Sequence, residues 1–393
     1  MKLQLLKKRE EIYNIFFEST LDFMKSIYDE DNLTLKTFLI NDKLNLIYPK
    51  DIKRSELNLF IQEYRFNKSL IRKLLQRFYI FVATKKLFEQ FFLDAEIEIY
   101  VPKDCFNELV FLPGNHSIRV VNIKNDEIYV YIKKGFNKHY LINDAKVRRQ
   151  NNLGSVPNVF DLNEDEGWFS EERIEGIPID KINSPTKRKN ALHFAQKDLR
   201  ELYSSSKKNV VLEEYSKEII LKIENLIETY LASISKKNML IIKNFLYLLK
   251  DFLLDKFANK FLNIATSHGD FQPGNIICSQ DDFWIIDWEY SSMRSIFYDA
   301  LVYDLKTRAP ESLSKRLQKK IDRIESNHNY YEWTGKILNR NNSYYIFIFF
   351  AEDLLLKLQE ISSDAIYSKN ASLNIYLDEL QKINLILKNH FND

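Results

Sequence analysis

Residues 267–291 read SHGDFQPGNIICSQDDFWIIDWEYS. The stretch holds one histidine, five acidic residues and two of the eight glycines of a 393-residue chain. A chain this poor in glycine puts Gly269 directly before Asp270 and Gly274 directly before Asn275, so both glycines are expected to give the loop close backbone approach or unusual φ angles. The polar residues suggest a division of labour. Asn275 offers a neutral carbonyl oxygen, and Asp287, behind the apolar pair Ile285-Ile286, offers an anionic one. Mg²⁺ prefers oxygen ligands and often takes only one or two from protein, leaving the rest to water and phosphates. Asp270 is then left to act on a substrate hydroxyl. Phosphoryl transfer suits such a set, because it depends mainly on positioning and charge neutralisation.

The rest of the chain sets bounds on that reading. Its length suggests two or three packed units. Basic and acidic residues nearly balance, 57 against 55, which gives no support to a nucleic-acid binder. Cys105 and Cys278 are the only cysteines, so a disulfide framework is not expected and a reducing compartment is the simpler expectation. The start, MKLQLLKKREEIYNIFF, is interrupted by charges where a signal peptide would be apolar. The longest apolar runs, such as Tyr344–Ala351, fall short of the roughly 20 residues of a membrane span. A cytoplasmic protein is expected.

Organisation follows from periodicity. Residues 1–96 read mainly as helices and form a helical N-terminal extension. Within them Leu70, Leu74, Phe78 and Phe81 mark one helical face among basic residues. The simpler expectation is that this face meets the core. The alternative is a membrane surface or a partner, with residues 70–92 as the contact. Residues 97–176 read as a small antiparallel meander with one helix at "HYLINDAKVRRQNN". Residues 177–393 read as largely helical, with spans at Leu192–Tyr203, Leu212–Ser233, Asn238–Leu262, Tyr344–Ile361 and Ser372–Asn389, and "SSSKK" at 204–208 as a loose segment. A sheet followed by a helical unit argues for a two-lobed α+β enzyme, with its site expected in the cleft between the lobes.

The spacing H-G-D-x4-N followed by I-I-D-W-E resembles the catalytic and metal-binding loops of the aminoglycoside phosphotransferase and choline kinase superfamily, which has a protein-kinase-like fold. The resemblance covers roughly residues 100–393, is strongest at 267–300 and is absent from 1–96. It implies a small-molecule kinase that uses Mg²⁺ and ATP or GTP. Asp270 resembles the catalytic base, and Asn275 and Asp287 resemble the Mg²⁺ ligands. His268 resembles a loop-supporting residue, and Asp299 the aspartate that braces the catalytic loop. On the nucleotide side the resemblance implies Lys133, at the end of "EIYVYIKKGF", as the phosphate cation. Lys134 is then expected on the opposite face. Asp144 stands where the family usually has the lysine's glutamate partner. The turn near Asn115 is expected to meet phosphate, and the backbone near Arg173 and Ile174 to meet adenine.

Eleven residues separate Asp287 from Asp299, a short span for a protein kinase, whose activation segment docks a peptide. A catalytically inactive kinase fold that scaffolds or binds is the other alternative. For the acceptor, Tyr330, Tyr331, Trp333, Tyr344 and Tyr345, with Glu352 and Asp353, offer aromatic and acidic contacts that suit choline, ethanolamine or an aminoglycoside. The same residues also read as core, and a sugar of a cell-surface glycan stays open as acceptor. The oligomeric state is not legible.

Overall fold

A computed structural model describes residues 2–391 apart from 42–43, 54–55, 58–69, 84–94, 105, 115, 152, 230–233, 280–281, 326–329, 332–333 and 364–369. The chain divides into two compact units, residues 1–192 with 276–289, and residues 193–275 with 290–393. The first unit carries the larger sheet and the second is mainly helical, as the α+β reading expects.

The first unit opens with α1 (Lys2–Ile27), followed by β1 (Leu33–Asn41), β2 (Leu46–Pro49) and α2 (Leu70–Ala83). Then come β3 (Ala95–Pro102), β4 (Leu109–Pro113), β5 (Ser117–Asn122), β6 (Glu127–Ile132), α3 (His139–Gln150), β7 (Val159–Asn163), β8 (Trp168–Glu172) and β9 (Ile177–Pro178). One antiparallel sheet takes eight of these strands in the order β3-β1-β2-β4-β5-β6-β8-β7. The sheet is therefore larger than the meander expected from 97–176, because β1 and β2 come from the segment read as helical. Phe38 and Ile40 of β1 face one side and Leu39 the other, and all three are buried. A strand buried on both faces shows no alternation, and a short apolar run of this kind is easily taken for helix.

The two faces are covered differently. On one, Phe16, Phe23 and Met24 of α1 pack on Phe38, Phe111, Val120 and Tyr131. Phe23 stacks on Tyr131 with ring centroids 4.2 Å apart, and the Tyr131 hydroxyl shares a 2.7 Å hydrogen bond with Thr20. On the other face, Leu141, Ile142 and Ala145 of α3 pack on Val130 and Phe169. Farther along it, Ile80 of α2 joins Leu39, Leu46, Tyr48 and Val110. The core contact of α2 is thus Ile80. Leu74 and Phe78, expected to face inward, are exposed. They fall on the side of the helix away from Ile80, and the buried side alone meets the sheet.

The second unit begins within α4 (Pro185–Ser206) and continues through β10 (Lys208–Val211), α5 (Leu212–Thr229), α6 (Lys236–Leu249) and β11 (Phe261–Ser267). The first unit regains the chain for β12 (Ile276–Cys278) and β13 (Phe283–Ile285), which pair with β9 in the order β13-β12-β9. The second resumes with β14 (Ser292–Ser295), α7 (Tyr298–Leu305), α8 (Leu313–Glu325), α9 (Tyr344–Ser363) and α10 (Asn370–Phe391). Strands β10, β11 and β14 form an antiparallel sheet. The helix expected over Asn238–Leu262 is interrupted. After a π-helical turn at Lys250–Lys256 the chain extends into β11, with Leu262 and Ile264 buried. The segment 204–208 is no linker, since its serines close the last turn of α4 by donating to Arg200 and Leu202 carbonyls.

Helix α9 is the core of this unit, with Ile346 to Phe350 wholly buried. It carries Glu352, also buried, which accepts hydrogen bonds from the Ser295 amide and hydroxyl and from the Tyr215 hydroxyl, each at 2.7 Å. Burial outweighs these donors and pushes the Glu352 carboxyl up to about 7 from an ordinary 4.5. The folded chain therefore holds this proton more tightly than the unfolded one. Its contribution to stability is fully present below pH 4.5 and is lost as pH rises through about 7. Glu352→Gln should flatten that part of the stability–pH curve, by about 3 kcal/mol at most. Urea unfolding of both proteins across this range measures the difference, and equal slopes would refute the assignment.

Candidate active site

The loop 268–275 follows β11 and is fixed from below by one carboxylate. Asp299, in the first turn of α7, is fully buried. It accepts the His268 amide at 2.7 Å and the Gly269 amide at 2.9 Å, one on each oxygen. The Tyr203 hydroxyl adds a third bond at 2.5 Å. Burial, then the Asp299 charge, raise the Tyr203 pKa far above its ordinary value, so the phenol stays a donor. Two successive amides directed at one carboxylate need a backbone that a side-chain-bearing residue rarely adopts. Gly269 supplies it with φ +88°. A Cβ there would also come within 2.2 Å of the Tyr290 carbonyl oxygen. Gly274 differs from the expectation. Its φ is not in the left-handed range and nothing lies within 4 Å of a Cβ built on it. Only the first glycine is required by the loop's geometry.

Arg294 closes the loop from the side. It donates to Ser267 Oγ at 2.9 Å and to the Tyr290 carbonyl at 2.7 Å, and lies over the Tyr298 ring. His268 is wholly buried and its Nδ1 accepts the Asp270 amide at 3.2 Å, which assigns the ring proton to Nε2. The imidazole therefore holds the loop's backbone.

Asp270 follows, 4% exposed. Its Oδ1 accepts Arg308 Nε at 2.7 Å. Its Oδ2 accepts Gln272 Nε2 at 3.0 Å and Asn275 Nδ2 at 3.2 Å. Asn275 Nδ2 also donates to the Asp270 carbonyl at 3.0 Å. With two oxygens facing the amide nitrogen, the orientation of the Asn275 side chain is determined. Its Oδ1 takes no hydrogen bond among the described residues and is available to a hard cation.

Arg308 is the site residue the sequence did not reveal. It joins Asp270 to Glu360 of α9, with Nη1–Oε1 at 2.6 Å, and stacks on the Tyr290 ring at 4.7 Å. Burial opposes its charge, but the Asp270 and Glu360 carboxylates outweigh burial and hold it protonated. It lies 38 residues beyond Asp270 and past the left-handed Lys306 that ends α7, in no local motif.

Asp287 lies in the first unit, just past β13. It is half-buried with φ +71°, a left-handed conformation that costs a non-glycine residue energy and tends to persist at functional positions. Its neighbours fix the turn. Trp288 is fully buried and donates to the Ile285 carbonyl at 3.0 Å, and Asn143 of α3 donates to the Glu289 carbonyl at 3.1 Å.

The nucleotide-side candidates are all in the first unit. Lys133 donates from its amide to the His116 carbonyl at 2.9 Å and from Nζ to the Gly114 carbonyl at 2.5 Å. The lysine and the turn after β4 are thus brought together. Burial lowers the Lys133 pKa. Lys134 was expected on the opposite face. It forms an ion pair with Glu18 of α1 at 3.0 Å, while Lys133 lines a cavity of about 110 Å³ with Tyr13 and Phe16 of the same helix. Both lysines follow the last residue of β6, where strand alternation no longer applies. Asp144 is ion-paired with Arg148 at 2.8 Å, and Arg148 also meets Glu171 of β8 at 2.8 Å. Arg173 pairs with Asp126 and Glu175, and Ile174 is half-buried after β8. Asn115 lies outside the described residues.

The described residues among those offered to the acceptor are core. Tyr331, Tyr344 and Tyr345 are buried, as are Glu352 and Asp353. Tyr331 donates to Asp304 and Tyr345 accepts from Asn263. Trp333 and the side chain of Tyr330 lie outside the described residues.

No protein-family model matches the chain, and no curated protein matches it. Among solved structures it is similar to a choline/ethanolamine kinase family protein from Mesorhizobium loti, at 15% identity over 81% of this chain and 97% of that one, with a TM-score of 0.45. It is also similar to a choline kinase from Streptococcus pneumoniae, at 18% identity over 70% and 89%, TM-score 0.44. A thermostable mutant of an aminoglycoside phosphotransferase gives 12% identity over 72% and 94%, TM-score 0.48. The functional reading rests on this chain's own residues.

Removing the Asp299 carboxylate leaves two buried amides and a buried phenol without their acceptor. Asp299→Ala should cost about 3 kcal/mol of stability, read as a lowered urea midpoint. An unchanged midpoint would mean that the loop is held by something else.

Proposed function

We propose that this chain is a Mg²⁺-dependent phosphotransferase that moves the γ-phosphoryl group of ATP or GTP to the hydroxyl of a small acceptor. The observation that carries this reading is the Asp270 carboxylate, buried yet held by three side-chain donors on a loop that only glycine at 269 allows. A carboxylate immobilised in this way is suited to orient a hydroxyl for attack. In the step, the acceptor oxygen forms a bond to the γ-phosphorus and the bond to the leaving diphosphate oxygen breaks. The acceptor's proton passes to Asp270 and then to solvent, and the products are a phosphate monoester and a nucleoside diphosphate.

We assign Asn275 and Asp287 to Mg²⁺ by the chemistry of their oxygens: Asn275 offers an amide oxygen without a hydrogen bond among the described residues, and Asp287 a carboxylate on a turn fixed by Trp288. When bound, Mg²⁺ would neutralise charge on the nucleotide phosphates. We assign Lys133, with the turn that begins at Gly114, to the donor phosphates, and the backbone at Arg173 and Ile174 to the base. Asp144 acts through Arg148 in supporting α3 against β8.

Arg308 does not select the acceptor. Its charge is matched by the two carboxylates it bridges, Asp270 and Glu360, so choline, ethanolamine, an aminoglycoside and a sugar are the acceptors to compare.

The test is nucleotide consumption with Mg²⁺, ATP and GTP separately, against sugars, choline, ethanolamine and aminoglycosides. Acceptor-dependent turnover should fall by about a thousandfold or more in Asp270→Ala while nucleotide binding stays intact. Wild-type turnover in that variant would exclude Asp270 as the base. Asp287→Ala should weaken Mg²⁺-dependent nucleotide binding about tenfold or more, measured by calorimetry with and without the metal. Unchanged metal-dependent binding would remove Asp287 from the ligand set.

A further inference from the structure

Helix α2 has an unusual outer face. Ile71, Leu74, Leu75 and Phe78 recur at i, i+3, i+4 and i+7, which is one stripe of an α-helix, and they are 71%, 59%, 63% and 68% exposed. The helix is nevertheless seated on the fold, since Ile80 on the other side is only 4% exposed among Leu39, Leu46 and Tyr48. Single exposed apolar residues need no explanation, but a contiguous stripe marks an interaction surface.

The charge of the surrounding sequence indicates what covers it. Between Arg65 and Lys86 the chain has seven lysines and arginines and no acidic residue, although the two signs nearly balance overall. Arg77, one of the seven, is exposed on the helix itself. Protein interfaces are depleted in lysine at their centres. An apolar helical face within a run of one positive sign matches a surface that is apolar beneath and anionic above, as a membrane containing acidic phospholipids is. No helix among the described residues is long and apolar enough to cross a membrane, so contact through α2 would be peripheral.

We propose that the outer face of α2 docks the chain on an anionic phospholipid surface, with Ile71, Leu74, Leu75 and Phe78 entering the headgroup–acyl boundary, Arg77 meeting the headgroups and the positive charge of the sequence around them favouring the anionic surface. This is independent of the activity proposed above.

The test is flotation of the full chain with vesicles of phosphatidylcholine alone and of phosphatidylcholine mixed with phosphatidylglycerol, at low and high salt. The wild type should bind the anionic vesicles about tenfold or more better than the neutral ones, and lose binding as salt rises. The double variant Leu74→Glu/Phe78→Glu should stay in solution with an unchanged melting temperature, because both side chains are exposed. No binding of the wild type to anionic vesicles would overturn the proposal. So would undiminished binding by the double variant. A wild type that ignores vesicles but runs as a dimer, with the double variant a monomer, would overturn it in favour of a second copy of this chain.

Discussion

The loop that carries Asp270 depends on one buried carboxylate meeting two consecutive backbone amides. Asp299 takes the N–H groups of His268 and Gly269 on its two oxygens. Charge-assisted bonds of this kind are about twice as strong as neutral ones, and in a buried setting losing one costs more than making it gains. They force the peptide at Gly269 into a left-handed turn, and the turn brings Asp270 to face Arg308, Gln272 and Asn275. Tyr203 and Arg294 complete the support, the first on Asp299 and the second on Ser267 and Tyr290. The strand β11, the helix α7 and the loop joined to them form one unit in which Asp270 cannot shift without breaking bonds at several points.

Asp270 and Glu360 are both nearly buried, and Arg308 bridges them while Lys357 adds a second cation to Glu360 at 3.1 Å. A buried carboxylate that loses its partner is strongly destabilising, so Arg308 supports Asp270 whatever else it does. It also fixes the Asp270 carboxylate in place, and under the proposed function that immobility serves alignment of the acceptor hydroxyl.

Much of this was readable in the sequence and some was not, for physical reasons. The motif HGD-x4-N marked a compact loop, in which Asn275 meets Asp270 and Asp299 accepts the His268 and Gly269 amides. β3 showed alternation because its Glu96, Glu98 and Tyr100 are more exposed than Ile97, Ile99 and Val101 between them. β1 did not, because Phe38, Leu39 and Ile40 are buried on both sides. The apolar stripe of α2 was visible as a stripe, but periodicity gives the existence of a face and says nothing about whether it meets core or solvent. Ile80, one apolar residue on the other side, decided that. Arg308 had no local signal, since its role is defined by partners 38 residues before it and 52 after it. Gly274 resembled Gly269 in sequence and differs from it only in φ and in the space around it.

The central claim is transfer of a phosphoryl group to an alcohol, and phosphorus NMR of the full chain with Mg²⁺, nucleotide and a series of sugars, choline, ethanolamine and aminoglycosides addresses it most directly. The account predicts a phosphate-monoester resonance that grows in step with nucleoside diphosphate for at least one acceptor. A protein that binds Mg²⁺-nucleotide, yet leaves its triphosphate resonances unchanged with every alcohol while the Asp299-braced loop is intact, would contradict it.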